Sequence, residues 1–217
     1  IVIQAPNYDN YGTVTATGNA TINSNGTINN NQTGSICGAT GTNINGGAIT
    51  NHGTLGCDAA NTIITGTSLL NNGSISTRDA DISINVSGNL TNTVNGNIYS
   101  NQNITLIAGN LSNENSISAD MGLAVVVAGN LVNNNSMATN GVLNVSVAGN
   151  LTNTNWLYGS LNSSVVAGNL SNSGDIASDG VLTVRTNGTS ASINNSGSIC
   201  GQAGTNVVGG AITNSGT

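Results

Sequence analysis

An aliphatic residue, an Asn two positions later and a second aliphatic about four positions after that recur throughout this chain with a short, regular period. Leu111/Asn113/Ile117, Leu131/Asn133/Met137 and Leu170/Asn172/Ile176 are examples, and the same frame fits Tyr8/Asn10/Val14, Ile49/Asn51/Leu55 and Ile193/Asn195/Ile199. Two further copies, Ile28/Asn30/Ile36 and Leu90/Asn92/Ile98, carry two extra residues. The middle residue gives a series: Asn10, Asn30, Asn51, Asn71, Asn92, Asn113, Asn133, Asn153, Asn172, Asn195 and Asn214. A period this short admits only an architecture in which each repeat is one supersecondary unit stacked on the next.

The residues between the Asn positions decide which unit it is. Gly-Asn-Leu occurs at Gly88, Gly109, Gly129, Gly149 and Gly168, with spacings of 21, 20, 20 and 19. Before each copy runs an alternating apolar stretch, such as Leu123-Ala-Val125-Val-Val127 or Val142-Leu-Asn-Val145-Ser-Val147, and Val181-Leu-Thr-Val184 is a further such run. Period-2 alternation rich in β-branched residues predicts strand. Gly and Asn are expected at the corners, where they tolerate positive φ. No stretch sustains a helical period. The expectation is an all-β parallel β-helix of about eleven coils of about 20 residues, with essentially no helix. Stacked Asn side chains are expected to hydrogen-bond along the axis as an Asn ladder while serving the corner backbone. A ligand-binding role for the column is the alternative.

Composition bounds the function. There is no Lys and no Phe, charged residues make up 5%, net charge is −6, and Arg78 and Arg185 are the only strong cations. Such a chain lacks the cations that sequence-independent nucleic-acid binding needs, and it lacks a polybasic membrane patch. No apolar run is long enough for a membrane-spanning helix. The expected partners are neighbouring solenoid segments or other copies, together with glycans or proteins of a host or cell surface. Nucleic acid and membrane insertion are excluded.

A longer repeat lies over the short one. Ser35-Ile-Cys-Gly38 recurs as Ser198-Ile-Cys-Gly201, and Gly46-Gly-Ala-Ile-Thr-Asn51 as Gly209-Gly-Ala-Ile-Thr-Asn214, both at an offset of 163. Residues 35–57 thus resemble residues 198–217. The offset is a whole number of coils, as a duplicated block of eight would leave. The expectation is that residues 1–217 form one β-solenoid segment of a longer repeat protein. Stacking against neighbours alone lets such a block be copied intact.

The Ala-Gly-Asn-Leu-Thr/Ser/Val-Asn repeat resembles those of the filamentous haemagglutinin family, the large exoproteins of two-partner secretion, most clearly over residues 82–188. The resemblance implies a right-handed parallel β-helix, secretion to the cell surface or beyond, and a shaft that holds adhesive or toxic tips away from the cell. The family's secretion domain has no counterpart here, and its repeats tend to carry more charge than these. A self-assembling extracellular filament or sheath subunit is the first alternative. A β-helix polysaccharide-degrading enzyme is a second. Ice binding through Thr rows such as Thr13-Val-Thr15 would need a Thr-x-Thr in every coil, which the sequence lacks.

Catalysis on a polysaccharide calls for paired carboxylates. Glu114 is the only Glu, and Asp58, Asp120 and Asp179 each follow a series Asn at the same offset, at separated corners. Asp79 and Asp81 flank a strand start as a surface turn, with a weak calcium contact as the alternative. His52 is the only His, which rules out a His-based metal cluster or triad. No cofactor is expected, and no catalytic or metal-binding residue is assigned. Trp156 and Tyr158 alternate on one strand, either packing over a neighbouring coil or offering a stacking surface to a sugar. Asn-x-Ser/Thr triplets such as Asn85-Val-Ser and Asn150-Leu-Thr follow largely from composition. Cys37 and Cys57 stand one coil apart in sequence, and so within disulfide reach. Two buried free thiols are the alternative. Cys200 is the long-repeat copy of Cys37, and its expected partner is a Cys beyond residue 217.

Overall fold

The computed structural model describes residues 1–217. It is all β, with 28 strands and no helix, and every strand pairing is parallel and one coil apart. The strands form two sheets, one of eighteen and one of ten. Each coil crosses three faces. In the first coil these are Val2–Ala5, Tyr8–Asn10 and Thr13–Ala16. The first two faces belong to the larger sheet, because four strands run unbroken through the corner between them: Ile82–Asn92, Asn103–Asn113, Val142–Asn153 and Ser163–Asn172. The third face is the ten-stranded sheet.

Alternation within each strand sends one residue inward and the next to the surface. The register then stacks the inward residues of successive coils directly above one another. On the first face the column runs Ile22, Ile44, Ile64, Ile84, Leu106, Val125, Val145. The second face stacks Ile28, Ile49, Leu69, Leu90, Leu111, Leu131, Leu151. On the third face Ile75, Ile98, Ile117, Met137, Leu157 and Ile176 follow one another. The three columns meet in one cluster of 39 buried residues along the axis. Burying each Ile or Leu side chain contributes about 1.5–3 kcal/mol, so the core needs no aromatic residue. Tyr8 only caps it, partly buried at the first coil.

Glycine works at the corners by a different route from the expected one. No residue other than Gly has positive φ, and only Gly56 and Gly204 do among the glycines. Many corner glycines are required by close approach between coils. A Cβ on Gly109 would lie 2.5 Å from the carbonyl oxygen of Ser87 and 2.8 Å from that of Gly88. Asn at the corners likewise keeps ordinary negative φ and contributes through its side chain.

Candidate functional site

The Asn series forms a continuous ladder. Each amide Nδ2 donates to the Oδ1 of the next Asn: Asn10 to Asn30, Asn30 to Asn51, Asn51 to Asn71 and Asn71 to Asn92, all at 2.8 Å. It continues from Asn92 through Asn113, Asn133 and Asn153 to Asn172 at 2.8–2.9 Å, then through Asn195 to Asn214 at 2.7 Å. The second amide proton serves the corner. Asn133 Nδ2 donates to the Asn135 carbonyl at 2.8 Å and to the Trp156 carbonyl of the next coil at 3.1 Å. Asn113, Asn153 and Asn172 repeat that arrangement. From Asn30 to Asn153 the ladder residues are fully buried. Asn fits because one primary amide is both acceptor and double donor. The ladder's work is internal to the rod.

A second ladder, which the sequence marked only as Gly-Asn-Leu, lies on the surface between the first and second faces. Asn110 Nδ2 donates to Asn89 Oδ1 at 3.1 Å, and Asn169 Nδ2 to Asn150 Oδ1 at 3.0 Å. Between them the backbone joins in: Asn130 N–H donates to Asn110 Oδ1, and Asn150 N–H to Asn130 Oδ1, each at 2.9 Å. The adjoining Gly lets successive coils approach at this corner. The corner leading off the third face uses hydroxyls. Thr77 Oγ1 and Ser100 Oγ both donate to the Ala80 carbonyl, at 2.6 and 2.7 Å, while Gly141 N–H donates to Thr139 Oγ1. These buried Ser and Thr residues vary in identity from coil to coil, so no repeated letter exposed them in the sequence.

Cys37 and Cys57 form a disulfide with their Cα atoms 5.1 Å apart. They are not register partners, as simple one-coil spacing would make them. Ser35 pairs with Thr54 and Ile36 with Leu55, which places Gly56 opposite Cys37 and Cys57 one residue further on. Gly56 adopts φ +112°, ending the strand Thr54–Leu55 after two residues. Cys57 then bridges Ala60 in a tight antiparallel turn. The turn is flanked by an exposed ion pair, Arg78 to Asp58 at 2.8 Å. The rearrangement leaves buried Thr62 Oγ1 without a partner, although Thr42 and Thr205, one and seven coils away in the same column, accept from Gly38 and Gly201 N–H. Cys200 is exposed and unpaired within residues 1–217. A persistent disulfide places the chain in a non-reducing setting.

Several of the remaining titratable groups are tied to a neighbour one coil away. Asn29 donates to Asp9, Asn140 to Asp120 and Gln202 to Asp179, at 2.7–3.0 Å. Asp81 accepts from the backbone and side chain of Asn103; Asp79 contributes its backbone N–H to the Asp58 carbonyl. Glu114 accepts from Ser112 and from Asn134. His52 is exposed and contacts Asn72 at 3.1 Å. No three of His, Cys, Asp and Glu come together, and no helix is long and apolar enough to cross a membrane.

Three of the five aromatic residues, Tyr99, Trp156 and Tyr158, lie on the third face. Trp156 and Tyr158 stack with centroids 5.4 Å apart and planes 28° off parallel. Tyr158 Oη donates to Asp179 at 2.5 Å. That bond, aided by some burial and by the carboxylate's charge, holds the phenol above its usual 10.0. Burial alone pushes the Tyr8 phenol up. Comparison with family models, with curated proteins and with solved structures finds no match.

Proposed function

We propose that the chain is a structural shaft, a rod that spaces or displays other parts of a secreted or cell-surface filamentous adhesin of the filamentous haemagglutinin kind. The observation that carries this reading is the unbroken Asn ladder from Asn10 to Asn214, buried from Asn10 to Asn195, running beside a continuous aliphatic core. Every coil invests its buried polar group in joining the next coil. The result resists bending and local opening, because each coil's stability comes from its neighbours. At a strand spacing of about 4.8 Å, eleven coils extend about 50 Å. The disulfide supports an extracellular destination. The surface has the same sense: Asp9, Asp81, Glu114, Asp120 and Asp179 each accept from an Asn or Gln amide one coil away, an arrangement suited to joining coils and unsuited to an acid/base pair.

The test is placement in the organism that encodes the chain. Antibodies raised against residues 1–217 should label intact cells or shed fibres, and the Cys37–Cys57 pair should be oxidised in that material. Label confined to the cytoplasm with both thiols reduced would overturn the reading. Cleavage of a polysaccharide by the purified chain, lost in Asp120→Asn or Glu114→Gln, would replace it with the enzymatic alternative.

A further inference from the structure

The third face carries one feature that the rod does not require. Its four-residue strands each present two residues outward, and the register lines these up in two columns. The first column reads Thr13, Ser35, Thr54, Ser74, Asn97, Ser116, Ser136, Trp156, Asp175, Ser198. Eight of these ten positions hold Ser, Thr or Asn, so a small polar residue satisfies the fold there. Trp156, the single Trp of the chain, therefore answers to something other than coil stability. In the second column Tyr158 stands between Ala138 and Ala177, which shows that Ala serves the fold equally well at that position.

We propose that Trp156 and Tyr158, with the hydroxyls of Ser116, Ser118 and Ser136 beside them, form a binding platform for a neutral glycan chain. The two rings stack on each other and both stay partly exposed. Large, rigid aromatic surfaces of this kind dominate recognition sites, and the C–H face of a pyranose ring packs on such a surface. The two coils preceding the aromatic pair are floored by Ser116, Ser118, Ser136 and Ala138, and are bounded on the far side by Tyr99, in the same column as Tyr158. Coils repeat about every 4.8 Å, close to the length of one sugar unit, so a glycan laid along the axis meets one outward pair per sugar. Asp175 lies next to Trp156 as a hydrogen-bond acceptor for sugar hydroxyls.

Charge selects the class. Asp175 and Asp179 flank the platform. Arg78 is committed to Asp58, and Arg185 belongs to a first-face strand, Val181–Thr186. No cation faces the site, which disfavours sulfated, sialylated or uronic sugars, lipid phosphates and nucleic acids. A lipid surface or an apolar protein partner would in addition find only small or polar residues, Ser136, Ala138, Asp175 and Ala177, as register neighbours of the two rings.

This inference deepens the adhesive part of the proposed function and rests on it, but the test separates the two. The purified 217-residue chain is titrated with cellohexaose, laminarihexaose and chitohexaose, read by isothermal calorimetry and by the fluorescence of Trp156. Saturable heat and a matching emission shift are expected with at least one of the three. Trp156→Ser, which installs the residue neighbouring coils already use, should fold normally by circular dichroism and lower affinity by about tenfold or more. Tyr158→Ala should weaken binding in the same direction, and Tyr11→Ala, in the first coil, should leave it unchanged. The proposal is overturned if the folded chain binds none of the three at millimolar concentration, or if Trp156→Ser binds as well as the parent. Either negative result leaves surface labelling, and with it the shaft reading, unaffected.

Discussion

Removing one rung of the buried ladder gives the sharpest test of what holds the rod together. Asn133 is fully buried, accepts from Asn113 at 2.8 Å, and donates to Asn153 Oδ1 at 2.8 Å, Asn135 O at 2.8 Å and Trp156 O at 3.1 Å. In Asn133→Ala, Asn153 Oδ1 loses the only side-chain donor that reaches it, at about 1–3 kcal/mol for an unsatisfied buried acceptor. Asn113 Nδ2 keeps the carbonyls of Asn115 and Ser136, so its side costs less, about 1 kcal/mol. The sum is about 2–4 kcal/mol, felt in the flanking coils. Native-state hydrogen exchange by mass spectrometry reads this directly. Amides of residues 111–119, 131–139 and 151–159 should exchange between about thirtyfold and a thousandfold faster, while those of residues 28–55 should not change. Asn133→Asp adds a pH axis. An ionised carboxylate still accepts from Asn113 but faces Asn153 Oδ1 and two carbonyls with no proton to give. Its folded-state pKa must therefore rise above the ordinary carboxylate value of about 3.9. For a raised folded pKa, the stability is present below the unfolded value and lost as pH climbs through the folded one, so this variant should be closest to wild type near pH 3 and worst at neutrality. Unchanged exchange around Asn133→Ala, or acceleration spread evenly along the chain, would refute the claim that ladder bonds stabilise coil by coil.

Non-reducing peptide mapping should recover a Cys37–Cys57 cross-linked peptide. Reducing it should lower the stability of the coils around residues 35–62 by about 3 kcal/mol in the chain-entropy picture, with remote coils untouched, whereas a Cys37–Cys200 link would contradict the register. Gly109→Val should destabilise by at least about 1–3 kcal/mol, because its new Cβ meets backbone oxygens that cannot move aside. Gly12→Ala, with nothing within 4 Å, should stay within about 0.5 kcal/mol in urea unfolding. Spectrophotometric titration should show Tyr158 ionising above 10.0, and Asp179→Asn should bring it down. The bond's contribution is thus present below pH about 10 and lost as pH rises through the raised value.

The sequence by itself determined the coil. A short fixed period, inward aliphatics at alternate positions and an Asn closing each second-face strand left a parallel solenoid as the way to bury those side chains together, and the ladder from Asn10 to Asn214 followed because stacked coils bring identical residues into line. Cys37 and Cys57 were legible for the same reason, being one coil apart. Only the tertiary structure decided matters that turn on a single residue's displacement or on what lies across a coil boundary. Gly56 opposes Cys37, and its positive φ carries Cys57 into the turn that closes the disulfide, a shift of one position that spacing cannot resolve. Corner glycines such as Gly109, Gly149 and Gly168 are fixed by carbonyl oxygens of the preceding coil, so their reason is steric contact between coils, whereas the local conformational preference visible in the sequence suggested positive φ. Trp156 and Tyr158 stand out only when the register lines up their column, because the meaning of a large residue on a solenoid surface depends on what the neighbouring coils place beside it.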